Sequence, residues 1–501
     1  MSTLTQSPTS AAGHKASAPV ELVSWKAGIG LSVLALLALV LFGFLANTKT
    51  AGFRISDVHD AGSATVVAWI TLILALAVAG WLGYRWYVNS RPVAGTAGST
   101  RRPVAAPRWL PATLIAAVVL VILALLGITK VEMISVPAAP FGWIVAVVLC
   151  LLAAYTVWLT TQKRKLPGWV GGVFALLFVF GFLVWIVAGG RDAMPSISLL
   201  GLIAGAVTLA VPLVFGSLSG VLSERVGVVN IAIEGQLLLG AFSAAVVGTI
   251  TGNVFVGLLA AAVAGALVSL VLAIVSIKYL VNQIIVGVVL NVLVSGLTGF
   301  LFSTVLTANP DKFNKPPRLD PIVIPYLSDI PIVGPILFRQ SLIGYLMYLA
   351  VIVVYFGLFY TKWGLRVRAV GEHPQAADTV GINVNRTRFW NVLLGGAVAG
   401  IGGSFFVLVS ADAFSKDMSA GKGYIALAAL IFGRWNPIGA FLAALLFGFA
   451  DNLQGIITII GSPVPGQFMA MLPYVLTIIA VAGLVGRSRP PAASGEPYVK
   501  G

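Results

Sequence analysis

The sequence predicts an all-α, polytopic transmembrane helical bundle, and three observations carry that prediction. Of 501 residues, 59% are hydrophobic and only 9% charged, against about 25% charged in soluble domains. The apolar residues fall in runs of roughly 20, the length that crosses a hydrocarbon core of about 30 Å. Lys and Arg gather in short loops between the runs, as the positive-inside rule requires. That distribution also accounts for the net charge of +15 without nucleic acid as a partner. The single cysteine, Cys150, lies inside an apolar run, and with three His in the chain there is no Cys/His cluster for zinc.

Residues 1 to 25 are polar and rich in Ser, Ala, Thr and Pro, which predicts a disordered segment. The run 27 to 46 is longer than a signal-peptide core and lacks a small-x-small cleavage site, so it reads as an uncleaved first span. Spans follow at 65 to 84, 111 to 129, 141 to 161 and 169 to 190, giving five helices before residue 195. The loop 85 to 110 carries five Arg and no acid, and 162 to 168 carries Lys163, Arg164 and Lys165; both are expected in the cytoplasm. The loops around 47 to 63, 130 to 140 and 190 to 196 balance their few bases with Asp57, Asp60, Glu132 and Asp192, and are expected outside.

Further spans are expected at 197 to 216, 226 to 250, 253 to 275, 283 to 305, 342 to 360, 388 to 411, 422 to 433, 437 to 455 and 470 to 486. This count of about fourteen puts Arg225, Lys278, Arg366 to Arg388, Arg434 and Arg487 on the cytoplasmic side, with both termini. The weak members are the short run 422 to 433 and the tight turn 250 to 254. If one is re-entrant, a second span must also go to keep the parity. The external connection 306 to 341 holds seven Pro and reads either as a cap over an outer vestibule or as a stiff connector.

Polar residues open the span that follows Ser217. Asn230, Glu234 and Gln236 sit in an apolar stretch, and on a continuous helix Asn230 and Glu234 would share one face. A carboxylate roughly 12 Å into the bilayer, counting the helical rise from Val226, is costly and normally faces a bundle interior or a water-filled path. These three residues are candidates for a translocation path, or alternatively hydrogen-bond helices together. Asn291 within 283 to 305 and the pair Asp451 and Asn452 within 437 to 455 carry the same two readings. Trp435 reads as an interfacial anchor, and Phe300, Phe302, Phe405 and Phe406 as surfaces on which a flat ligand could stack.

Residues 361 to 388 are far more polar than their surroundings. Pro374 suits a first helical position and Gly381 a left-handed cap, which predicts a two-turn helix from Pro374 to Val380. So short a helix is unstable alone in water and must rest on its own membrane domain or in a partner's groove.

Three segments then carry a resemblance: LSERVGVVNIAIEGQLLLGAF, GLRVRAVGEHPQAADTVGINV and AGKGYIALAALIFGRWNPIGAFLAALLFGFADNLQ. They resemble permease subunits of ABC importers of the branched-chain amino acid and ribose type, specifically nucleoside permeases, over about residues 195 to 487. The resemblance implies a type II importer membrane fold and a second, related permease chain. It further implies separate ATPase subunits that bind ATP and Mg, an extracytoplasmic binding lipoprotein, and no cofactor on this chain. It implies that the coupling region to the ATPase comprises Gly364, Arg366, Arg368, Gly371, Glu372, Pro374, Ala376, Ala377 and Gly381. Ala232 departs from the family's usual Gly, and residues 26 to 194 form an extension with no counterpart, followed by the core 195 to 487 and a cytoplasmic tail 488 to 501.

The function expected on this basis is a plasma-membrane importer permease for nucleosides, with ribose, another simple sugar or a branched-chain amino acid as alternative cargo. A secondary transporter is the reading from another class, with Glu234 and Asp451 as ion-coupling groups. An enzyme is not expected, because no GxSxG, HExxH or metal spacing is present, and Gly421-Lys422 is not preceded by a phosphate-binding glycine loop.

Overall fold

The computed structural model describes residues 25–54, 133–162, 168–191, 196–330, 333–461, 468, 471 and 489–499. The spans expected at 65 to 84 and 111 to 129, that at 470 to 486 except residue 471, and all but the last residue of the polar segment 1 to 25, lie outside the described residues. The chain divides into two compact units, residues 1–48 with 137–185, and 49–136 with 186–501.

In the first unit, α1 (Trp25–Ala38) continues as a π-helical turn, Leu39–Phe44, and packs with α2 (Ala138–Thr161) and the greater part of α3 (Gly168–Ala188). Ala35, Ala38, Phe42, Val145, Leu149, Ala153 and Phe174 form its core. Trp185 Nε1 donates to Leu45 O at 2.8 Å, closing one end.

The second unit begins with three short strands, β1 (Thr50–Arg54), β2 (Met133–Pro137) and β3 (Ser196–Ser198), in the order β2-β1-β3. Strand β1 runs parallel to β3 with Phe53 opposite Ile197. The three loops that the charge pattern puts on one face of the membrane thus meet there as a sheet. Their pairing satisfies backbone groups that the sequence alone leaves as loop.

Nine helices among the described residues are long and apolar enough to cross a membrane. Besides α2 and α3 these are α4 (Leu199–Glu224), α5 (Ile233–Thr251), α6 (Val254–Ala273) with its π-helical end, α7 (Gln283–Leu301) with another, and, after the loop elements named below, α10, α13 and α15. The loop between α7 and the next span holds α8 (Pro310–Phe313), α9 (Val333–Leu337) and a two-residue ladder of β4 (Ile322–Val323) with β5 (Arg339–Gln340). Then come α10 (Leu342–Tyr360), α11 (Lys362–Glu372), α12 (Pro374–Thr379), α13 (Val384–Phe405) with a π-helical end, α14 (Lys422–Phe432) and α15 (Pro437–Ile460). Polar residues cap the starts: Asn253 Oδ1 accepts from Phe255 N at 2.9 Å, Asn282 Oδ1 from Ile284 N at 3.0 Å and Asn436 Oδ1 from Ile438 N at 2.9 Å. Gly252, left-handed at φ +61°, makes the turn at 250 to 254 so tight that α5 and α6 meet with two residues between them.

Four helices, α4, α5, α6 and α13, share the centre. From Ala210 to Glu224 every residue of α4 is buried. Helix α13 fits because it has no side chains along its seam: a Cβ on Gly396 would fall on Ser269 Oγ and Gly265 O, one on Gly400 on Ala261 O, and one on Gly403 on Leu237 O. In a bilayer, where apolar burial gives helices little reason to prefer each other over lipid, such close approach supplies the packing energy.

At 11 residues, α14 is about 16 Å long, half the hydrocarbon thickness. The irregular stretch before it, 411 to 421, is tied to the long loop: Arg318 pairs with Asp412 at 2.9 Å, and Asn314 exchanges bonds with Phe414. Its far end reaches the end of α4, where Arg225 Nε donates to Trp435 O at 2.8 Å. Loop and helix therefore make one leg, irregular in its first half and helical in its second.

Candidate translocation path and coupling surface

Residues 225 to 232 are not helical. Gly227 takes φ +89°, and α5 starts only at Ile233, so Asn230 precedes the helix and Glu234 lies in its first turn. The shared helical face expected for Asn230 and Glu234, and the depth counted from Val226, are corrected by this break: the two side chains go to different places.

Asn230 joins Gln236 in a closed network. Asn230 Nδ2 donates to Ser219 Oγ at 3.2 Å and to Gln236 Oε1 at 3.2 Å, while Gln236 Nε2 donates to Asn230 Oδ1 at 3.1 Å and to Ser269 Oγ at 2.8 Å. Ser223 adds a further acceptor at 3.4 Å. All five side chains have no exposed surface. The network ties α4, the start of α5 and α6 into one body, and α13 seals it, since Gly395 abuts Ser223 and Gly396 abuts Ser269. Both amides are paired at nitrogen and at oxygen, which is what makes a polar cluster tolerable in the interior. The serines were missed from sequence; their signal was a spacing of four on α4, which puts Ser219 and Ser223 on one face.

Glu234 turns the other way. Its Oε1 accepts from Ser419 Oγ at 2.6 Å and Gly421 N at 2.8 Å, and its Oε2 accepts from Gly423 N at 2.6 Å. The carboxylate thus caps the start of α14, answering its orphan N–H groups and positive dipole end. The stretch it holds is strained: Asp417 and Ala420 have φ +51° and +46°, followed by Gly421 at +80°. Beside it, Asn291 Oδ1 accepts from Gly235 N at 2.8 Å, and its Nδ2 donates to Ile231 O at 2.8 Å and to Tyr424 Oη at 3.2 Å.

Lys422, next to the capped glycines, forms an ion pair with Asp451 at 2.5 Å, both side chains partly exposed. Asn452 faces elsewhere and donates to Leu202 O at 2.8 Å, bonding α15 to α4. Glu234, Asn291, Lys422, Tyr424 and Asp451 therefore gather around one helix start, while Asn230 and Gln236 sit behind it and Asn452 apart. Phe405 and Phe406 are buried core residues, Phe302 packs against Phe414 and Phe300 is exposed. Trp435 is 6% exposed and its indole donates to Glu224 Oε2 at 2.5 Å, so it is an internal strut rather than an interfacial anchor.

The segment expected to couple to an ATPase folds as two helices joined at His373. Thr361 Oγ1 caps α11 by accepting from Gly364 N at 3.1 Å, and Gly364 lies so close to Gly357 O and Leu358 O that no Cβ fits. Arg368 stacks 5.4 Å over Phe359, while Arg366 points to solvent. Gly371 packs on Arg225 O, and burial pulls the Arg225 guanidinium below its ordinary value, with Glu372 nearby pushing back. Pro374 opens α12, Gly381 follows it at φ +86°, Ala377 is buried and Ala376 exposed. Among the described residues, no group of three His, Cys, Asp or Glu side chains is placed to share a metal ion.

Long apolar helices around a sealed polar hub, with a broken leg beside it, define a multi-pass membrane protein of the transport-permease class. The chain belongs to the family of branched-chain amino acid transport system permease components, which matches residues 202–481. It is 41% identical over 323 residues to the guanosine ABC transporter permease protein NupQ of Bacillus subtilis, covering 62% of this chain and 99% of that one. It is 39% identical to the nucleoside ABC transporter permease protein NupC of Lactococcus lactis, covering 60% and 96%. A second Bacillus subtilis protein, the guanosine ABC transporter permease protein NupP, is 28% identical over 47% of this chain and 69% of its own length. No solved structure matches the chain.

Proposed function

We propose that the chain is a permease subunit of an ATP-driven importer of nucleosides. The observation that carries this reading is the match over 99% and 96% of the length of two relatives named as guanosine and nucleoside permeases. Separate ATPase subunits bind ATP and Mg and dock on α11 and α12. A second, related permease pairs with this chain, in keeping with two relatives named as guanosine permeases in one organism. A binding lipoprotein delivers substrate from outside, both termini lie in the cytoplasm, and residues 26 to 194 form an added helical module.

The mechanism is alternating access. ATP-driven movement of the Pro374–Thr379 helix is passed through α11 to the turn at 225 to 232 and rocks the body made by α4, α5, α6 and α13. Substrate passes the partly exposed Glu234 and Lys422–Asp451 pair, with the buried Asn291 beside them. Asn230 and Gln236 hold the moving body together, and Asn452 bonds α15 to it.

The test is uptake of labelled guanosine, with ribose, glucose and a branched-chain amino acid as controls, in cells with and without this chain. Loss of guanosine uptake alone, restored by the intact chain, supports the reading. Glucose is among the controls because a relative named as a putative glucose permease is 34% identical. Loss of uptake of a control instead of guanosine would keep the permease and remove the nucleoside.

A further inference from the structure

Residues 489–499 lie across the coupling surface and touch each of its parts. Ala493 N donates to Gly371 O at 2.9 Å, and Ala492 N to Glu372 Oε2 at 3.3 Å, which holds the end of α11. Gly495 N donates to Gly227 O at 3.2 Å, which holds the turn that leads to Asn230. Glu496 O accepts from Arg388 Nη1 at 2.9 Å, which holds the start of α13. The Tyr498 hydroxyl bonds Asp378 on α12. Pro491, Ala493 and Tyr498 are buried, whereas Ala492, Gly495, Glu496, Pro497 and Val499 are exposed.

Arg388 shows that this contact belongs to the folded state. Its side chain is 2% exposed, and Nε and Nη2 have no hydrogen-bond partner among the described residues. Without Glu496 O the guanidinium would be buried with no acceptor among the described residues, an arrangement proteins avoid. The fit is also close, for a Cβ on Gly227 would meet Arg388 Nη2 at 2.9 Å and Ala493 O at 3.0 Å.

We propose that residues 489–499 are a transmission strap: an interaction surface on the coupling elements, occupied by the chain's own segment, that makes α12 and the 225 to 232 turn move together. This rests on the ATPase-coupling reading above. The strap adds to two other links among the described residues, one through α11 and its seat on Arg225 and one through α13, whose Arg388 packs on Gly227. A partner that moves α12 therefore moves the strap through Tyr498, and the strap moves Gly227 and Arg388.

The test is amide hydrogen exchange on the permease assembled with its ATPase, with and without ATP, for the intact chain, a chain ending at Ser488, and Tyr498→Phe. In the intact chain ATP should change exchange at both 374–379 and 226–230. In the shortened chain the change at 374–379 should persist and that at 226–230 should shrink by about fivefold or more, the low end of coupling between sites. A synthetic peptide of residues 489–499 should restore it. If the shortened chain does not assemble, Tyr498→Phe carries the test, because it removes only the bond to Asp378. An ATP response at 226–230 as large in the variants as in the intact chain would overturn the strap. No ATP response at 374–379 in the intact chain would instead sink the coupling reading beneath it.

Discussion

The Glu234 carboxylate accepts the backbone N–H of Gly423 at 2.6 Å, so the first turn of α5 caps the first turn of α14. Two helix starts share one carboxylate that also takes Gly421 N and Ser419 Oγ. Glu234→Gln keeps the size, but sets an NH2 group against donors and removes the charge. The loss of charge-assisted bonds should cost about 2 to 3 kcal/mol, read as a lower melting temperature in detergent together with lower uptake. A raised KM with unchanged melting would mean that Glu234 acts on substrate and not as a cap.

Gly396→Ala should be poorly tolerated, because its Cβ would fall on Ser269 Oγ and Gly265 O. Overpacking of this kind costs typically 1 to 3 kcal/mol, and here it also displaces a member of the polar network. Gly171→Ala on α3, with nothing within 4 Å of the new carbon, is the control and should melt as the parent does. Equal melting of both variants would show that the seam is looser than the geometry indicates.

Lys422 and Asp451 should behave as a coupled pair. Lys422→Ala and Asp451→Ala each leave a partly buried charge alone, and the double variant should recover part of the loss. Partial exposure of both side chains screens the pair, so a coupling energy near 1 kcal/mol is expected, within the usual range for contacting residues. Strict additivity in a double-mutant cycle of melting free energies would count against a direct pair.

Glu372→Ala combined with Pro374→Gly should uncouple ATP hydrolysis from uptake while leaving membrane insertion intact. The first change frees Ala492 N, and the second loosens the first turn of α12. The comparison needed is the ratio of uptake to hydrolysis in proteoliposomes, which should fall at least about fivefold if the segment couples the two sites. An unchanged ratio would refute the coupling role.

The bundle was legible because lipid imposes a simple code: long apolar runs, bases on one side, polar caps at the ends. Pro374 and Gly381 bound the α12 helix as read, within one residue of its observed end. The site was less legible. The span ending near 216 in the sequence reading continues to Glu224, since Ser217 and Ser223 satisfy their hydroxyls on the carbonyls of Val214 and Ser219 and so stay in the interior. The span expected from Val226 starts late because Gly227 turns the chain, and a glycine's left-handed φ leaves no trace in hydrophobic periodicity. Which donors Glu234 would find, 185 to 189 residues away in the chain, depends on tertiary placement that no local pattern carries. Strand pairing among three connecting loops was hidden for the same reason.

The glycine seam of α13 has a consequence for how the protein is made. Helices α4, α5 and α6 leave the ribosome long before α13, whose Gly395 and Gly396 abut Ser223 and Ser269 in the finished bundle. During that interval the half-built bundle presents hydroxyls and amides to the insertion machinery or to lipid, so biogenesis needs either a holding factor or a slow, late closure. Substitutions that widen the seam would then lower the yield of inserted protein more than they slow transport by the molecules that mature.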